Sequence, residues 1–124
     1  MVGLPERKRL AWKYQTAAVL EDAPVVTREI VYQHVKGKGL TAINKNTGSP
    51  LWQVSGGVDL LTEAGNKAYV ITGTRTLVVM DNVKAKELYT VNFAGVSKHV
   101  SNITDDKIYI ADNLGRIACL QPVE

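Results

Sequence analysis

The sequence predicts an all-β fold built from three four-stranded antiparallel repeats, the blades of a β-propeller. Three observations carry this. Short β-branched and aromatic runs follow one another, and none keeps a helical period over ten residues. Gly, Asn and Asp fall between the runs. Three sets of markers share one spacing. Tyr32, Tyr69 and Tyr109 lie 37 and 40 positions apart, Leu40, Leu77 and Ile117 show the same intervals, and Trp12, Trp52 and Tyr89 show 40 and 37. A period near 40 residues is the length of a four-stranded blade.

The elements follow in order. Residues 1–9 form an N-terminal tail whose Arg7-Lys8-Arg9 cluster reads as solvated charge. Residues 10–16 alternate Leu10, Trp12 and Tyr14 with polar or small neighbours and read as an outer strand without a blade of its own. Repeat one (17–55) then supplies strands at 24–27, 29–35, 39–44 and 51–55. Repeat two (56–93) supplies 59–63, 67–72, 76–81 and 87–93. Repeat three (94–124) supplies 100–104, 107–111 and 116–121 and lacks an outer strand. The stretch Asn82–Leu88 has the most helical composition, but its place in the repeat makes it a turn. Gly65-Asn66 and Asp105-Asp106 separate inner from second strands, as hairpin turns require. Gly56-Gly57 and Gly95 mark crossings between blades.

The strand count is complementary at its two ends: one outer strand at the start, one outer strand missing from repeat three. Closed rings usually have four to eight blades. Two chains joined through residues 10–16 would close a six-bladed ring; the rival is a piece of a longer propeller.

Composition bounds the chemistry. Of 124 residues, 45% are hydrophobic and 22% charged, ordinary for a globular chain. The formal net charge is only +3, and no basic field interleaved with aromatics is present, so a nucleic-acid surface is not expected. No apolar run approaches a membrane span. No signal-peptide pattern is visible at the N-terminus. The single cysteine, Cys119, rules out an intramolecular disulfide and a cysteine-based metal cluster, and leaves the compartment open.

The stretch from Ala42 to Trp52 carries the most specific pattern: Ala42, Asn44, Thr47, Gly48 and Trp52 in the order small, Asx, Thr-Gly, aromatic. A second, degenerate copy has Val79, Asp81, Lys84, Ala85 and Tyr89. A third begins with Cys119 and Gln121, and Trp12 is the aromatic of a further one. This pattern resembles the tryptophan-docking motif of the PQQ-like β-propeller repeat family. The physical logic is legible. Thr-Gly closes a hairpin with Gly in the left-handed region. The Asx oxygen caps the turn amides. The indole is thrown against the next blade, and a small residue makes room for it. The docking residues are therefore Ala42, Asn44, Thr47, Gly48, Trp52, Asp81, Tyr89 and Trp12.

No catalytic, cofactor or metal set emerges. His34 and His99 lie in different parts of different repeats. Asp81-Asn82 and Asp105-Asp106 sit at bends, where turn chemistry explains them. Gly37-Lys38-Gly39 and Thr47-Gly48 lead into no helix, so they lack the phosphate-cradling geometry. Cys119 occupies the place of Ala42 and Val79 and reads as a small core residue. Residues at the starts of inner strands, Asp22, Asp59 and Lys98, are the candidates for the axial channel mouth. The family resemblance implies a non-catalytic interaction or assembly scaffold like the outer-membrane assembly lipoproteins, and a cell-envelope setting. It also includes quinoprotein dehydrogenases, which bind pyrroloquinoline quinone and calcium through vicinal cysteines and acidic and Asn ligands. One cysteine cannot supply that disulfide. A carbohydrate or small ligand at the channel is the third reading.

Overall fold

The structure is a computed structural model that describes residues 10–16, 20, 22–100, 102 and 105–121. It contains three antiparallel sheets in chain order. Sheet one orders β1 (Val25–Val26), β2 (Ile30–Val35), β3 (Gly39–Asn44) and β4 (Pro50–Val54). Sheet two orders β5 (Gly57–Ala64), β6 (Lys67–Thr72), β7 (Thr76–Asp81) and β8 (Lys86–Asn92). Sheet three orders β9 (Val96–Val100), β10 (Ile108–Asp112) and β11 (Ile117–Leu120). Each sheet runs inner to outer, strand by strand, as a propeller blade does.

Registers show that the repeats superpose residue for residue. Tyr32 pairs with Ala42, Tyr69 with Val79 and Tyr109 with Cys119. Ala42 then pairs with Trp52, and Val79 with Tyr89, each beside a bulge that shifts the outer strand by one residue. Asp81 and the Lys84–Ala85 pair turn the chain before β8, so the Asn82–Leu88 stretch is a turn running into a strand.

Period-two alternation decides where each side chain goes, and a blade between two others buries both faces. On β6, Ala68 and Val70 join a core with Tyr32, Leu40, Trp52 and Val54 of the first blade. Their neighbours Tyr69 and Ile71 join a second core with Leu61, Leu77, Val79 and Ile108, the last from the third blade. The backbone amide of Asn102 also donates to the Leu61 carbonyl at 2.9 Å, tying blade three to blade two.

Four expectations are corrected. Cys119, expected as a small core residue, is exposed, because β11 is the edge strand of its sheet among the described residues. Residues 10–16 form no strand. A strand needs a ladder, and among the described residues no strand pairs with this stretch in a sheet. The inner strand of repeat three is Val96–Val100 rather than 100–104; it begins just after Gly95, as β5 begins at Gly57. The first inner strand is likewise reduced to Val25–Val26. The tail at 1–9 lies outside the described residues, as do 17–19 within repeat one and 122–124 beyond β11. Among the described residues no helix is long and apolar enough to cross a membrane.

Candidate functional site, an inter-blade docking device

The hairpin after β3 is built by its own side chains. Asn44 Oδ1 accepts from the amides of Asn46 (2.9 Å) and Thr47 (3.1 Å). Thr47 Oγ1 accepts from the Ser49 amide at 3.2 Å, and the Gly48 amide closes on the Asn44 carbonyl at 2.8 Å. Gly48 sits at φ +77°, where a side chain would be strained. Blade two repeats the turn with a carboxylate. Asp81 Oδ1 accepts from Val83 (2.8 Å) and Lys84 (3.0 Å). These amide bonds, that of Lys84 first, hold the Asp81 carboxyl below its usual range. Ala85 takes the left-handed position at φ +55°, in place of glycine.

Each indole lands on the hairpin of the following blade, one residue past the Asx. Trp52 Nε1 donates to Asn82 Oδ1 at 2.7 Å, and Asn82 follows Asp81. Trp12 Nε1 donates to the Lys45 carbonyl at 2.7 Å, and Lys45 follows Asn44. The Trp12 ring lies over Gly48 so closely that a Cβ there would stand 2.6 Å from its Cδ2. Glycine at 48 thus serves the turn and the seat of the ring together. Trp52 is buried against Ala42, which is 0% exposed, and tilts at 47° over Tyr32 with centroids 5.8 Å apart.

Behind Trp52 a polar chain crosses from blade one to blade two. Asn82 Nδ2 donates to Tyr32 Oη at 2.9 Å, and the Tyr32 hydroxyl donates to the Glu63 carboxylate. Thr27 Oγ1 donates to the same carboxylate at 3.1 Å. Burial, followed by the Glu63 charge and hydrogen bond, pushes the Tyr32 phenol well above its ordinary value, so it remains a donor. Sequence reasoning missed Glu63 and Asn82. The only signal for Asn82 was its position directly after a motif Asx, shared with Lys45.

The remaining candidates divide. Asp22 and Asp59 line one cavity of about 320 Å³ together with His34 and Tyr32. His34 Nδ1 lies 2.9 Å from Asp22 Oδ2, and His99 Nε2 lies 3.2 Å from Asp59 Oδ2. Lys98 pairs with Ala111 as Asp59 pairs with Ile71, so the blade position is the same. Its side chain nevertheless lies apart, beside Tyr109, Ile110 and Ile117. Among the described residues no three His, Cys, Asp or Glu side chains gather as a metal site. Tyr89 is 45% exposed.

Comparison with known proteins matches this fold. The family described as outer membrane protein assembly factor BamB matches residues 4–95. BamB from Moraxella catarrhalis is similar over 90% of this chain and 36% of its own, at 22% identity and a TM-score of 0.64. The computationally designed Ika4 protein is similar over 81% of this chain and 64% of its own, at 15% identity and a TM-score of 0.58. The designed Ika8 protein covers 80% and 32%, at 15% identity and 0.56. The chain therefore spans only 36% of the length of the Moraxella protein. No curated protein matches it.

Proposed function

The chain belongs to the PQQ-like propeller family of the outer membrane protein assembly factor BamB, and from that premise we propose that it is a non-catalytic protein-docking module. One observation carries the reading. The side chains of its most specific motif are spent on making hairpins and on seating aromatics against the next blade, so the device binds protein and performs no reaction. The flank of blade three supports it. Leu114 is 78% exposed and Ile117 83%, with Tyr109 and Leu120 alongside, an apolar surface of the kind that marks protein contact. The partner is protein: further propeller blades, or a second copy that completes the ring through its N-terminal segment. The module is organised as a tail, the aromatic segment at 10–16 and three repeats. Asp22 and Asp59, which share a cavity, belong to the channel mouth; Lys98 holds the equivalent blade position.

The dehydrogenase reading is the competitor, and reconstitution separates the two. The protein is titrated with pyrroloquinoline quinone and calcium while absorbance and dye reduction are followed. The docking reading expects an unshifted quinone spectrum and no dye reduction above the protein-free control. Saturable quinone binding with substrate-dependent dye reduction would overturn it.

A further inference from the structure

We propose that the cleft between the hairpins of blades one and two receives an arginine side chain of a protein partner, its guanidinium held by the carboxylates of Glu29 and Glu63. The inference rests on the docking reading above and names the chemistry of what docks.

The cleft is a cavity of about 260 Å³ bounded by both blades. Glu29 enters it from the turn before β2, and Asn46 from the hairpin after β3. Glu63, near the end of β5, and Asn66, in the hairpin that follows, enter from blade two. Backbone bonds fix both walls. The Lys45 amide donates to the Glu29 carbonyl at 2.9 Å, joining the two turns of blade one. The Asn82 amide donates to the Asn66 carbonyl at 2.7 Å, joining the two hairpins of blade two. Glu63 and Asn82 also line the cleft, and both belong to the inter-blade joint. Asn82 is held by Trp52 and Tyr32, and Glu63 by Tyr32 and Thr27. The site is therefore ordered before anything binds, which lowers the cost of binding.

Charge singles the cleft out. The chain carries a formal net charge of +3, yet among the described residues neither Glu29 nor Glu63 has a cationic partner. Glu63 is half-buried and meets only hydroxyl donors. Lys45, beside Asn46, directs its ammonium to the Thr27 carbonyl at 3.4 Å instead. The other two carboxylates that share a cavity, Asp22 and Asp59, differ, because each already meets a histidine. Two carboxylates brought from opposite blades without a counter-charge favour a cation between them.

A guanidinium suits them better than an ammonium. It is planar, presents five donors in a fork and is more weakly hydrated. Among the described residues the side chains of Asn46 and Asn66 make no hydrogen bond, so their carboxamide oxygens are left to accept the remaining donors. Ile30, Leu51 and Val83 supply apolar lining for the aliphatic stem. The cavity falls just below the roughly 300–1,000 Å³ of sites for whole small ligands, a size for one side chain.

The test uses the full isotope-labelled chain and a capped pentapeptide with a central arginine between glycines; the same peptide with glutamine is the control. Heteronuclear NMR follows the side-chain amides of Asn46, Asn66 and Asn82. A single arginine contact is weak, so saturable shifts confined to the cleft are expected at a dissociation constant of about 1 mM. Added salt should weaken binding. Glu29→Gln removes a charge that no bond among the described residues uses, and should weaken the peptide about fivefold, the upper end for an exposed ion pair. Glu63→Gln keeps an oxygen for Tyr32 and Thr27, and should weaken it about tenfold, as loss of a hydrogen bond to a charged group does. An unmoved Trp52 indole N–H signal in Glu29→Gln shows that the joint is intact and that the weaker binding is not lost folding. No shift by about 20 mM peptide, equal shifts with the glutamine peptide, or undiminished binding by either variant overturns the proposal. So do shifts centred on the cavity of Asp22 and Asp59, which put the cation site there, or calcium chloride giving the same shifts at lower concentration than the peptide, which makes the cleft a metal site. Each of these leaves the docking reading standing; that reading falls only to quinone binding with dye reduction.

Discussion

Replacing Trp52 with alanine removes the only aromatic whose seat, ring partner and hydrogen-bond acceptor are all described between two complete blades. Trp52 is 7% exposed. An indole buries about 200 Å², and at about 25 cal/mol per Å² that is roughly 5 kcal/mol. The figure is an upper bound, because alanine keeps its Cβ and the unfolded chain hides part of the ring. The lost bond to Asn82 adds about 1 kcal/mol. Partial collapse of the gap between blades offsets some of this, so the expected loss is about 3–5 kcal/mol, the range of buried aromatic truncations. Small domains have only about 5–15 kcal/mol in total. Trp52→Phe keeps most of the area and forfeits the N–H; it should lose about 1–2 kcal/mol and stay comfortably folded. The assay is urea unfolding followed by far-UV circular dichroism, at one fixed protein concentration because association would add to apparent stability. A loss below about 1 kcal/mol for Trp52→Ala would show that the indole is not what joins the blades.

Other expectations follow from single residues. Ala85→Gly should stabilise by about 0.5–1 kcal/mol in the same assay, since a left-handed alanine costs about 1–2 kcal/mol and glycine returns part of it as unfolded-chain entropy. Asp81→Asn should flatten the acid limb of stability. A carboxyl depressed in the fold contributes stability above its unfolded value of about 3.9 and loses it as pH falls through the lower folded one. The asparagine caps the turn as Asn44 does, without titrating, while Asp105 and Asp112, whose carboxyls the backbone amides of Lys107 and Arg116 hold below their usual range, continue to supply their own share. Urea midpoints between pH 7 and pH 2 read this. Tyr32→Phe should do the reverse at high pH. A phenol raised in the fold contributes stability that is fully present below about pH 10 and lost as pH rises beyond it, so the variant should be less stable than wild type at pH 7 and lose less between pH 9 and pH 11.

The fold was legible because a repeat writes its architecture as a period. Tyr32, Tyr69 and Tyr109 mark second strands, and the registers at Ala42, Val79 and Cys119 follow from them. What was not legible depends on which side chains meet across blades. Glu63 reads as an ordinary strand-end carboxylate until Tyr32 and Thr27 reach it from the neighbouring sheet. Residues 10–16 alternate like a strand, and alternation describes a face without supplying a ladder. The third inner strand was expected too far along, at 100–104, while Gly95, the counterpart of the Gly57 that begins β5, pointed to 96. Asp22 and Asp59 share a cavity because their blades are adjacent. Lys98, at the same blade position with the opposite charge, lies with the apolar flank instead.

The central claim is that the aromatic of one blade and the post-Asx residue of the next act as one joint. A double-mutant cycle between Trp52→Phe and Asn82→Ala tests it most directly. Neither substitution empties the core, and the pair shares one hydrogen bond of 2.7 Å. The account predicts a coupling of about 1 kcal/mol. The two losses adding to within about 0.3 kcal/mol would contradict it.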